Sequence, residues 1–249
     1  MNRGDINTPN QIQNLSRELD FYGYYSLLLT YHSKNPDLLL KSLIAAEHDV
    51  KLKYMLAIRT YAISPEYLAM ITASYNEIFP NKLIFNIVSG DLHSDETTIE
   101  DIVMFKEHLD TPEKRLIYTE KWMNIFLKLC KKWHTPEIIM AGHSQETKSM
   151  ANKFKATHLS MLDMYLKDPK EIINKKQMVS LSIIIRDTKE EAESLLTNNS
   201  SLWTLCGTQH EVQEKIKQLE DGGVTDIIIS QANQDYNIAS VHRMVKSYE

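Results

Sequence analysis

Short aliphatic runs alternate with longer amphipathic stretches along almost the whole chain, and this alternation restricts the fold more than any other feature. Seven runs read as buried strands: 25–31 (YSLLLTY), 53–59 (KYMLAIR), 83–89 (LIFNIVS), 137–142 (EIIMAG), 157–162 (THLSML), 179–186 (VSLSIIIR) and 225–230 (TDIIIS). Each is too short for a helix of average length, rich in β-formers and apolar almost throughout, as expected of a strand covered on both faces. Between them lie segments with helical periodicity at 9–21, 36–47, 64–78, 111–132, 144–154, 188–196, 208–221 and 234–247. Strand, helix, strand in steady succession predicts a parallel sheet, either an open wound sheet or a closed barrel.

Punctuation supports these boundaries. Ser64-Pro65 and Thr111-Pro112 are hydroxyl caps followed by proline at the first helical position. The segment 111–132 carries Leu116, Trp122, Ile125, Phe126 and Leu129 at helical spacing, which predicts an apolar stripe. Residues 1–8 (MNRGDINT) have no apolar alternation and supply no strand, so a barrel built from this chain is expected to lack its opening strand. Without repeats or low-complexity linkers, the whole of 1–249 is expected to form one domain.

Composition narrows the function classes. With 43% hydrophobic and 24% charged residues the chain is globular, and its net charge of −5 is spread without a basic stripe, which argues against a nucleic-acid partner. No run is apolar enough to span a bilayer and no signal peptide is visible, so no membrane partner and a cytoplasmic location are expected. Two cysteines, Cys130 and Cys206, stand far apart, and the nine histidines show no HxH or HExxH spacing, so no metal site is expected.

Order and spacing over about nine-tenths of the chain resemble the bacterial luciferase-like flavin-dependent monooxygenases, closest to the alkanesulfonate monooxygenase branch. The motifs that carry this are Gly23-Tyr24, Ala57-Ile58-Arg59, Ser64-Pro65, Pro80-Asn81-Lys82 and Asn86-Ile87-Val88-Ser89-Gly90. The strand-to-helix segment TPEIIMAGHSQET, IIIRDTKEEAESLL and the GTQHEV…DGGVTDIIIS terminus complete the pattern. The resemblance implies an α/β fold of TIM-type (βα)8 barrel, incomplete here, with its site at the carboxyl ends of the strands. It implies FMN as cofactor, supplied reduced by a separate flavin reductase, and oxygenation of a small-molecule substrate by a homo- or hetero-oligomer, often a dimer. A catalytically reduced homologue of the same fold that binds flavin, or nothing, and acts as a partner subunit is the alternative.

The resemblance also places residues. Asn86, Ser89 and Gly90 would meet the flavin ring, although Ser-Gly-Asp is by itself an ordinary turn sequence. Gly142, His143 and Ser144 would hold its phosphate at a helix N-terminus, where unpaired amides and the helix dipole favour anions; Ser144 would cap that helix with or without a ligand. Arg59 ends a strand and needs a carboxylate or an anionic ligand. Arg115 and Tyr118 fall near a phosphate-contacting position but read equally well as solvated helix residues. Asn35 takes the place of a cysteine near the flavin. Three positions depart from the branch pattern: Ser180 and Ser182 replace an Arg and a His that face the substrate, and Ala232 replaces a Tyr. The segment TNNSSLWTLCGT is a shortened lid, so the usual cations for a sulfonate are absent.

Overall fold

A computed structural model of the chain describes residues 9–30, 37–47, 51–89, 109, 111–167, 176–196 and 201–229. These fall into two compact units, one within Asn7–Met150 and one within Ala151–Glu249. Expectations for Asn35, Gly90, Ala232, residues 1–8 and the helix at 234–247 lie outside the described residues.

The first unit opens with helix α1 (Pro9–Phe21) and then alternates β1 (Ser26–Leu29), α2 (Leu38–Ala46), β2 (Lys53–Arg59), α3 (Pro65–Ile78), β3 (Leu83–Val88), α4 (Pro112–Cys130) and β4 (Glu137–Ala141). Its strands pair in sequence order and all in parallel, with Leu28 opposite Met55, Ala57 opposite Asn86, and Asn86 opposite Ile139. Side chains alternate between the faces of a strand, so this register sorts them. Tyr54, Leu56, Phe85 and Ile138 point towards the helices, where Phe85 meets Phe126 of α4 edge-on at 5.8 Å. Met55, Ala57, Arg59, Ile84, Asn86 and Ile139 share the opposite face. Tyr25, Lys53 and Glu137 join the amino-terminal ends of β1, β2 and β4: the Tyr25 hydroxyl donates to the Glu137 carboxylate at 2.8 Å and accepts from Lys53.

Helix starts follow the caps read in the sequence. The Ser64 hydroxyl accepts the Tyr67 amide and the Thr111 hydroxyl accepts the Lys114 amide, each with proline next in the chain. Helix α4 buries a different stripe from the one its apolar spacing predicts: Arg115, Thr119, Trp122, Met123, Phe126 and Cys130 face inward, while Ile125 lies outside. The reason is polar. Thr119 finds the Thr60 hydroxyl at 2.9 Å, Trp122 donates its indole N–H to the Ile63 carbonyl at 2.8 Å, and Arg115 donates to the Leu109 carbonyl at 3.2 Å. Two hydrophilic residues thus occupy core positions with their hydrogen-bonding capacity engaged. Burial pushes the Cys130 thiol up to about 11.

Helix α5 (Gln145–Phe154) leads into the second unit, which contains β5 (Thr157–Met161), α6 (Leu162–Lys167), β6 (Gln177–Ile185), α7 (Lys189–Ser194), a 3-10 turn (Ser201–Trp203), β7 (Thr204–Gly207), α8 (Gln209–Asp221) and β8 (Val224–Ile229). Strand β6 is its spine. The first half pairs with both β5 and β8, and the second half pairs with β7, all in parallel. Val179, Leu181 and Ile183 of β6 pack with Leu162, Tyr165, Val212 and Leu219 of the helices. Ser180 and Ser182 therefore lie on the opposite face of the strand, and Ser182 is buried.

Eight strands, not seven, occur among the described residues. The extra one, β7, falls in the segment read as a shortened lid. It has four residues and no alternation, and it is a strand because β6 offers it a ladder. Leu162, read as the end of a strand, instead opens α6.

Gly222 ends α8 under a tight constraint. A Cβ there would sit 2.7 Å from the Tyr165 hydroxyl, which donates to the Gly222 carbonyl at 2.8 Å. Gly222→Ala is expected to destabilise the chain by about 1–3 kcal/mol through overpacking and the lost hydrogen bond. In a Tyr165→Phe background the same change should cost less in urea unfolding; an unchanged cost would show that the Tyr165 hydroxyl is not the obstacle.

Candidate functional site

Parallel strands of α/β proteins present their working residues at their carboxyl ends. In the first unit the face turned away from the helices carries two such residues. Arg59 is the last residue of β2, and Asn86 sits two residues before the end of β3, between Ala57 on one neighbouring strand and Ile139 on the other.

Asn86 is 5% exposed, and its side-chain oxygen is enclosed with no hydrogen-bond partner. An unmet buried acceptor costs about 1–3 kcal/mol. The sequence signal is a single polar residue in the otherwise apolar run LIFNIV.

Arg59 is half-buried and donates from Nη1 to the Tyr61 hydroxyl at 2.7 Å. The backbone turns immediately after the strand, with the Ala62 amide bonded to the Arg59 carbonyl at 2.9 Å. Tyr61 is buried in a small cluster with Leu109, against which Ala62 and Tyr118 pack. The sequence reading missed Tyr61. Its partnership depends on the turn at 59–62, which brings residues two apart side by side.

Arg115 is not the solvated helix charge that its neighbours Glu113 and Lys114 suggest. It is 4% exposed and directed to the Leu109 carbonyl. Tyr118, one turn further along α4, is half-buried beside Tyr61. Arg59, Tyr61, Arg115 and Tyr118 are thus linked through one cluster just beyond the end of β2. Ser89 follows β3 directly and is half-buried.

Gly142, His143 and Ser144 join β4 to α5. Gly142 has φ +154°, and a Cβ there would meet Thr147 at 2.9 Å, so a side chain is excluded both by backbone geometry and by close approach. The Ser144 hydroxyl accepts the Thr147 amide at 3.2 Å, as an N-cap does, and lies 3.2 Å from the Thr147 hydroxyl. His143 is exposed. Glu146, unnoticed in the sequence, sits in the first turn of α5. Hydrogen bonds from its own backbone amide and then from Ser144 hold its carboxyl below the usual range. The Glu146 carboxylate thus lies at the start of α5 beside Ser144. The signal was the acidic residue two places after the cap, a position that complements the helix dipole.

No family model matches the sequence. Solved structures do match over nearly the whole chain. A riboflavin lyase, solved with modified FMN and its substrate riboflavin, superposes with a TM-score of 0.78 at 12% identity, covering 99% of this chain and 86% of that one. The oxygenating constituent of 3,6-diketocamphane monooxygenase from Pseudomonas putida, solved with FMN, gives 0.70 at 14% identity over 98% of this chain and 92% of its own. A coenzyme F420-dependent tetrahydromethanopterin reductase from Methanopyrus kandleri gives 0.73 at 12% identity, with 96% and 94% covered. This likeness shows the fold alone, a parallel α/β arrangement of the TIM-barrel type shared with these enzymes.

Ser144→Ala removes both the cap and one of the two hydrogen bonds to Glu146. Stability should fall by about 1 kcal/mol. The Glu146 carboxyl should titrate higher than in the parent chain yet below the ordinary value, since the bond from its own amide, the larger cause, remains. Carboxyl NMR titration checks this; an unmoved Glu146 would separate it from Ser144.

Proposed function

We propose that the chain belongs to the luciferase-like group and is a flavin-dependent monooxygenase, using reduced FMN from a separate reductase to oxygenate a small organic substrate. The fold is that of enzymes whose solved structures hold FMN. The observation that carries the reading is Asn86, a lone buried polar residue in β3 on the face opposite Phe85, near the carboxyl ends of the strands, whose side-chain oxygen has no hydrogen-bond partner. A flavin ring when bound would supply the oxygen chemistry, while the chain orients it and limits water around it.

The residues fit the two ends of FMN unequally. At the ring end, Asn86 has small Ala57 beside it, and Arg59 adds a cation on the same face. At the phosphate end, Gly142, His143 and Ser144 form a helix start, but a phosphate there must displace the exposed Glu146 carboxylate. Residues Arg115 and Tyr118 support the Tyr61 and Arg59 side of the site rather than reaching out to a phosphate.

Ser180 and Ser182 favour the second reading, a flavin-binding subunit without turnover, because both are uncharged on the face of β6 opposite Val179, Leu181 and Ile183. The working form is proposed to be an oligomer. Trp122 takes no part in its contacts, being 2% exposed and stacked on Phe126 at 5.0 Å, whereas Trp133, Ile117 and Ile125 are exposed on or just beyond α4. No helix among the described residues is long and apolar enough to cross a membrane.

Titration with FMN, read by flavin fluorescence and by melting temperature, should show saturable binding. Reduced FMN from a reductase, with oxygen and a panel of small organic substrates, should then give oxygenated product faster than free flavin decays. Binding without product would select the non-catalytic subunit. No change in either signal with excess FMN would sink both readings.

A further inference from the structure

We propose that the outer faces of α3 and α4 form a self-complementary surface on which a second copy of this chain docks, with α3 of each copy against α4 of the other. The surface gives a contact to the oligomer proposed above, and it stands whether or not the chain binds flavin.

Both helices expose apolar side chains that the core does not use. Tyr67, Met70 and Ile78 of α3 are 54–64% exposed, and Ile117, Ile125 and Trp133, on or just beyond α4, are 42–57% exposed. At about 100° per residue, positions 66, 67, 70, 74, 77 and 78 gather on one side of α3, opposite the buried Leu68, Thr72 and Tyr75. Positions 117, 121, 124, 125 and 128 gather in the same way on α4, opposite the buried Thr119, Trp122 and Phe126. The two helices pack side by side, so the exposed stripes adjoin. Single apolar side chains on a surface are ordinary, whereas neighbouring helices that each carry a stripe of them mark a contact.

Charge identifies what covers the stripes. Helix α3 contains no basic residue, and its outer side carries Glu66 and Glu77. The outer side of α4 carries Lys121 and Lys128, and the exposed Lys131 and Lys132 follow it. Glu113, beside Lys114 in the first turn, is the one exposed acidic residue of α4. Among the described residues, Glu66, Glu77, Lys121 and Lys128 make no ion pair within the chain. An acidic apolar stripe therefore lies beside a basic apolar stripe on one molecule. A two-fold axis at the seam between them turns the pair onto itself, so that each acidic stripe meets a basic one. A partner of uniform charge would meet repulsion on one of the two helices; a second copy meets it on neither.

Charge exchange tests this. Analytical ultracentrifugation of the full chain should show a concentration-dependent dimer that loosens as salt rises. Glu66→Lys with Glu77→Lys sets like charges across both contacts and should weaken self-association at least roughly tenfold. Lys121→Glu with Lys128→Glu should do the same from the other side. Mixed together, the two variants should form a heterodimer. All four substitutions in one chain should restore self-association, a recovery that loss of the fold could not produce. A parent dimer that neither pair of substitutions weakens would overturn this surface while leaving an oligomer formed elsewhere. Absence of recovery in the chain with all four substitutions would overturn the pairing of α3 with α4. A parent chain that stays monomeric at every concentration would overturn the second copy as occupant, and the stripes would then belong to a different protein.

Discussion

The attachment of α4 to the turn after β2 is the constraint on which the candidate site depends. Two contacts, Thr119 to Thr60 and Trp122 to the Ile63 carbonyl, hold the backbone just past Arg59, and Arg115 holds the carbonyl of Leu109, which packs on Tyr61. Beneath them, Trp122 stacks on Phe126 and Phe126 meets Phe85 of β3. Each of these side chains buries enough apolar surface to contribute about 1.5–3 kcal/mol. The hydrophobic layer therefore sets the height of α4 on the sheet, and the hydrogen bonds above it set where the strand ends. Phe85 and Asn86 are adjacent in sequence and point to opposite faces. The packing that holds one aims the other.

At the amino-terminal ends of the first unit's strands, Tyr25, Lys53 and Glu137 satisfy one another. Enclosed side-chain atoms without a hydrogen-bond partner occur towards both ends, at the Tyr54 hydroxyl near the start of β2 and the Asn86 oxygen near the end of β3. An enclosed acceptor of this kind costs about 1–3 kcal/mol when it is left unmet. In the loop after β4 the Ser144 hydroxyl accepts the Thr147 amide and lies beside the Thr147 hydroxyl.

Most of the fold was legible because parallel strands covered on both sides leave long apolar runs, and because Ser64, Thr111, Thr188 and Thr208 mark helix starts by a local mechanism. What escaped was set by partners distant in sequence. Strand β7 has no pattern of its own and exists by pairing with β6. Arg115 sits among charged neighbours and reads as solvated, yet it is buried and donates to the carbonyl of Leu109. Of the site, Asn86, Ser89 and Ser144 were legible from resemblance, whereas Tyr61 and Glu146 were not, since each matters through a contact that chain geometry creates.

The second unit is organised around a strand in its middle, and this bears on the order in which the chain becomes complete. Strand β6 holds β5 from the preceding sequence and both β7 and β8 from the sequence that follows. During synthesis the first unit has all its elements once Met150 has emerged, and it can settle early. The second unit cannot. Its spine must wait, half-paired, until residues up to Ile229 leave the ribosome, and an uncovered ladder invites wrong partners in that interval.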